Sequence, residues 1–191
     1  MEWPKSRLPS LRWFEYSLHW ESLALWDPSC RETEAQLFNP TRESVEQRIL
    51  PEKDAAVNAA ARDLRDVKRL VDGIPSPAPP ERLQKLMTYF RRELAMNRAL
   101  RHYTAAFFFA KLATGGDAQA KTDALAEVAE LLRIAGQLEA NPDLGFWILE
   151  PSRLRLAVRE VEEVIKTKRW PAEEAIRKWN EQLELWGYEI P

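Results

Sequence analysis

One cysteine, two histidines and six glycines are all that 191 residues contain of three residue types on which much site chemistry depends. Cys30 has no second cysteine to pair with inside the chain, and His19 and His102 lack a further soft ligand at helical spacing, which argues against zinc or haem. Only Gly115 and Gly116 adjoin, so there is neither a dinucleotide-type nor a triphosphate-type phosphate loop, and no cofactor is expected. A dominant charge sign is missing too. The 28 basic and 30 acidic side chains leave a net charge of −2, which offers duplex DNA or an anionic membrane little to hold. Long apolar runs are equally scarce. TAAFFFAKLAT at 104–114 is interrupted by Lys111 and falls short of the ~20 residues that cross a bilayer, while Pro4 and Pro9 stand where a signal peptide needs its apolar stretch. The expectations are no metal, no nucleic-acid partner, no membrane partner and, by default, a cytoplasmic location.

What the chain does have is apolar residues at helical spacing almost throughout, with next to no two-residue alternation. The pattern predicts an all-α protein: one domain over 1–191, an antiparallel bundle of five to seven helices. A first helix runs from Ser10 to about Trp26 and stops at Asp27-Pro28. A short helix over Thr41 to Leu50 precedes a second long one, with Pro51 in the new helix's first turn. From Glu52 to Val71 the inward stripe is Ala56, Ala60, Leu64, Val67 and Val71, and Gly73 follows as a stop. Residues 74–80, with PSPAPP at their end, form a stiff Pro-rich connector. The longest helix covers Pro80 to Ala113, with Leu83, Leu86, Phe90, Leu94, Leu100, Tyr103, Phe107 and Phe108 facing inward. After Thr114-Gly115-Gly116-Asp117, a helix to Ala140 carries Leu125, Val128, Leu132, Ala135 and Leu138. Another starts at Ser152, after Pro151, with Leu154, Val158, Val161 and Ile165, and a last one carries Ala172, Ile176, Trp179, Leu183 and Trp186.

No catalytic constellation emerges. The acidic pairs Glu127 with Glu130 and Glu160 with Glu163 lack the Glu-x-x-His partners of a di-metal cage and read as solvated faces. The basic run RRELAMNRALRH at 91–102 is interrupted by Glu93, Leu94 and Leu100 and reads as a charged outer face. The segment NPDLGFWILEP at 141–151 is the exception, because its apolar residues follow no stripe. Asp143, Phe146, Trp147 and Glu150 there make the candidate binding edge, with Trp147 either plugging the bundle end or offering a flat face to a sugar or a protein.

The opening RWFEYSLHWESLALWDP at 12–28, closing on Trp26-Asp27-Pro28 and followed by an Ala-rich amphipathic helix, resembles the helical region that follows the barrel in α-glucuronidase-like glycoside hydrolases. The resemblance covers about the first third of the chain. It implies a non-catalytic accessory domain, the C-terminal part of a larger carbohydrate-processing enzyme, with the catalytic domain of the same polypeptide or a carbohydrate ligand as partner. The family's catalytic carboxylates belong to the barrel, so it implies no catalytic residue here. The alternative is a free-standing helical protein-interaction module.

Overall fold

The computed structural model describes residues 40–73, 81–145 and 150–168, of which 92% are helical, with no strand among them. The all-α class is therefore observed. Four long helices pack together: α1 (Leu50–Asp72), α2 (Glu81–Thr114), α3 (Ala118–Ala140) and α4 (Pro151–Thr167). The expected helices over 10–26 and 172–186, and the whole Pro-rich connector at 74–80, lie outside the described residues.

The entrance to α1 differs from the expectation of two separate helices. Thr41 and Ser44 form a reciprocal cap, the Thr41 hydroxyl accepting from the Ser44 N–H at 3.0 Å and the Ser44 hydroxyl accepting from the Thr41 N–H at 3.1 Å. The chain then passes from a helical turn at Arg42–Ser44 through a π-helical stretch, Val45–Ile49, directly into α1. The Leu50 N–H reaches back five residues to the Val45 carbonyl. In a regular α-turn the Pro51 ring would run into the Gln47 carbonyl, and a widened turn immediately before it relieves that clash. Pro51 thus marks a π-turn inside one continuous helix, and the expected break is absent. At the far end, Gly73 ends α1 with φ −79°, an ordinary right-handed value, rather than the left-handed conformation for which glycine is usually selected.

Gly115 to Asp117 connect α2 to α3. Gly116 sits at φ +99°, where a side chain would be strained, and the Asp117 carboxylate accepts from the Ala120 N–H at 2.9 Å to cap α3. So short a link turns α3 back along α2. At the opposite end of the pair, Arg92 of α2 donates to the Asp143 carbonyl just past α3, at 2.7 Å. Arg155 near the start of α4 is paired with Glu139 near the end of α3 at 2.8 Å, so α4 runs antiparallel to α3. Helices α2, α3 and α4 contact one another, whereas α1 packs along α2 with no comparable contact to α3.

That topology makes α2 the central helix. Its residues Tyr103 to Ala110 are buried on every side, eight in succession, because this half of α2 is enclosed by its neighbours. Phe107 and Phe108 meet edge to face with ring centres 5.8 Å apart, and alanines at 105, 106 and 110 let the surrounding backbones approach. The other half of α2 is only partly covered, and Leu86, expected inward, is exposed.

Helix α3 corrects the sequence reading by about one residue of rotation. Val128, Ala135 and Leu138 are buried as expected, but Leu125 and Leu132 are exposed, and Ala120, Ala124, Leu131 and Ile134 are buried in their place. Both sets have helical spacing. The interior takes the one rich in alanine because α2 and α3 lie close together along their length. On α1, Ala60 and Val67 are buried, Leu64 and Val71 are partly covered, and Ala56 is exposed. On α4, Leu154, Val158 and Val161 are buried as expected, joined by Ala157 and Val164, while Ile165 is partly covered. Lys168 ends α4 in the left-handed conformation, φ 54°.

Candidate functional site

Because α1 leans on α2 and not on α3, a seam runs along α2 between its two flanking helices. The seam is closed at one end by charge. Arg101 of α2 reaches both ways, its Nε donating to Asp54 of α1 at 3.0 Å and its Nη1 to Glu127 of α3. His102, the next residue, has Nδ1 2.6 Å from the other Glu127 oxygen. Burial acts to raise the Glu127 carboxyl, but the bonds from His102 and Arg101 and their charge outweigh it and hold the group below the usual carboxylate range. An ionised carboxylate only accepts, so His102 Nδ1 carries the shared proton. Glu127 is therefore one side of a tie across three helices, where a solvated face was expected, and its side chain is only 16% exposed.

A carboxylate that orients a histidine is half of a nucleophilic triad. The other half is not present among the described residues, where no hydroxyl or thiol hydrogen-bonds the His102 ring and no group of three His, Cys, Asp or Glu side chains gathers to hold a metal. What the described contacts do is join α1 and α3 to α2 through Arg101, with His102 adding a second bond to Glu127.

Away from the clamp the same seam opens into a groove of about 180 Å³. Leu94 and Ala95 of α2 with Ile134 and Leu138 of α3 line its floor, Leu64 of α1 and Leu144 of the turn Pro142–Leu144 form its walls, and Arg91, Arg98 and Gln137 stand at its rim. Arg91, Leu94, Ala95 and Arg98 are spaced three, one and three residues apart and so share one face of α2. Among the described residues neither Arg91 nor Arg98 has a carboxylate within ion-pairing distance, in contrast to Arg101 one turn further on. The run 91–102, expected to be a charged outer face, is thus divided: Arg101 and His102 are partly buried in the clamp, and Arg91 and Arg98 frame an apolar depression. The i, i+3, i+4, i+7 spacing was the signal for that face. It was hidden because the same spacing serves equally for a helix face covered by protein.

A second polar cluster lies at the α2–α3 turn. Arg42 donates to Glu46 at 2.8 Å, to Asp123 at 2.9 Å and to Asp117 at 3.1 Å, and stands over the Phe109 ring at 5.5 Å. The Ala120 N–H, followed by Arg42, holds the Asp117 carboxyl below its ordinary value. With three carboxylates on one guanidinium, this cluster fastens the entrance of α1 to the hairpin.

The candidate edge at 141–151 is described only at its two ends. Asp143 is exposed on the turn that follows α3 and engages Arg92 through its backbone carbonyl. Glu150 is exposed at the start of α4, its carboxylate 3.4 Å from the Ser152 hydroxyl and 4.0 Å from Arg153. Phe146 and Trp147 lie outside the described residues. Leu144, from the same segment, turns into the groove and links this edge to the seam. Among the described residues no helix is long and apolar enough to cross a membrane. Comparison with protein families, with curated proteins and with solved structures returns no match to this chain.

Proposed function

We propose that this chain is a helical protein-interaction module and that the open half of the α1–α2–α3 seam is its docking surface. The observation that carries the reading is the groove itself: an apolar floor framed by two arginines with no carboxylate partner among the described residues. A cavity of about 180 Å³ is below the ~300–1,000 Å³ typical of small-molecule pockets, and it suits one or two protruding side chains better than an enclosed metabolite. A clamp of charged groups at one end ties both flanking helices to α2 and so fixes their spacing beside the groove.

An accessory role beside a carbohydrate-active barrel rests on residues 12–28 and Trp147, and no described feature favours it: among the described residues, the groove's lining holds no aromatic side chain on which a sugar ring would stack. The docking reading is tested by panning a displayed helical-peptide library on the folded chain and counter-selecting on Gln137→Trp, which lays a large side chain over the groove from an exposed rim position. Enriched peptides that bind the parent chain and lose the variant support it. A library that yields no binder sensitive to Gln137→Trp refutes it.

A further inference from the structure

The rim charges specify the occupant. Arg91 and Arg98 are seven residues apart on one face of α2, about 10.5 Å along the helix axis. Their neighbours are already engaged, Arg92 with the Asp143 carbonyl and Arg101 with Asp54 and Glu127. Two guanidiniums on either side of an apolar depression, each without a carboxylate among the described residues, form a complementary surface for two negative charges that flank an apolar side chain. Two cations are too few to track a phosphate backbone, and the floor between them is aliphatic, so the chemistry favours carboxylates on a peptide.

Resting on the docking reading, we infer that the groove takes an acidic amphipathic helix from a protein partner. Aliphatic or aromatic anchors at i and i+3 or i+4 fill the depression, and carboxylates two turns apart pair with Arg91 and Arg98. A helix laid along α2 repeats the 10.5 Å interval with its own seven-residue spacing, which an extended strand at ~3.3 Å per residue covers in about three residues, where successive side chains alternate between faces. Arginine's fork geometry then fixes the register of the incoming helix.

The test uses the full chain and a fluorescein-labelled synthetic helical peptide with leucine anchors and two glutamates seven residues apart, read by anisotropy. Saturable binding is expected, with a dissociation constant on the order of 10 µM for so small a contact, weakening several-fold as salt screens the pairs. The double variant Arg91→Glu/Arg98→Glu, on the solvent-facing rim where folding tolerates substitution, should lose at least tenfold, and a peptide with both glutamates replaced by lysine should recover binding to that variant. Equal binding of a glutamine-for-glutamate peptide, insensitive to the double variant but abolished by Gln137→Trp, would overturn the acidic partner while leaving the docking reading intact. No saturable binding of either peptide would overturn both. If light scattering shows the chain to be a dimer that Arg91→Glu/Arg98→Glu dissociates, the occupant is a second copy and the partner inference fails.

Discussion

Leu131 and Leu132 are adjacent in α3, identical in chemistry and almost equal in helical environment, yet the fold assigns them opposite duties. Leu131 is fully buried, whereas Leu132 retains 38% of its exposure. Trimming a leucine to alanine removes three carbons, worth about 2.4 kcal/mol when all of them leave water on folding. For Leu131 the whole of that is lost, and the cavity left among close-packed neighbours adds to it, giving about 3–5 kcal/mol. For Leu132 only about three-fifths of the transfer energy applies, no enclosed cavity forms, and alanine's higher helix propensity returns a few tenths, which leaves about 1 kcal/mol. The two variants should therefore differ by about 2–4 kcal/mol, equivalent to roughly 4–16 °C in Tm for a chain of this size. Urea titrations followed by circular dichroism at 222 nm read the difference directly, and unchanged slopes would show that only stability has moved. If Leu132→Ala costs as much as Leu131→Ala, α3 is rotated from the orientation described and the seam built on it is wrong.

Glu127→Gln should cost about 2–3 kcal/mol in denaturant titrations, since a charged acceptor of two donors is replaced by an amide. Because the folded carboxyl lies below its ordinary value of about 4.5, its stabilisation is fully present above that pH and is lost as pH falls through the folded value; the variant's stability curve should be flatter over that acid range, and an identical acid limb would refute the clamp. Gly116→Ala forces a side chain into φ +99° and should cost about 1–2 kcal/mol, whereas Gly136→Ala, with open space around the added carbon inside α3, should gain about 0.5–1 kcal/mol, both read from thermal melts. Asp117→Asn should keep most of the α3 cap while Asp117→Ala should lower Tm, as asparagine still accepts the Ala120 N–H.

What the sequence could convey was periodicity and punctuation. The all-α class, the α3 cap at Asp117, the start of α4 to within one residue of the expected Ser152, and the turn at Gly115-Gly116 each follow from local chemistry that a single segment carries within itself. Rotation about a helix axis does not. In α3 the sets Leu125/Leu132 and Ala124/Leu131 are equally periodic, and choosing between them depends on how near α2 lies, which only the assembled bundle determines. Pro51 shows the same boundary from another direction: its ring forbids a regular turn, but whether the chain breaks or widens into a π-turn depends on whether Val45, Ile49 and Leu50 gain burial by staying helical, and all three are buried in the core.

The charged residues of α2 carry this argument to the site. Arg91, Arg92, Arg98 and Arg101 read alike in sequence, as four cations in a run whose other members promise a solvated face. Their roles separate only when α1 and α3 arrive. Arg101 meets carboxylates from both helices, one of them 47 residues earlier in the chain and the other 26 later, and becomes structural. Arg92 finds a carbonyl 51 residues away. Arg98, a single turn from Arg101, faces the same seam where the opposing surfaces are Leu64 and Leu138 and supply no carboxylate. An arginine beside leucines on this groove has no carboxylate among the described residues to neutralise it, and that situation, created by long-range placement and not by the arginine itself, is what the proposed docking role draws on.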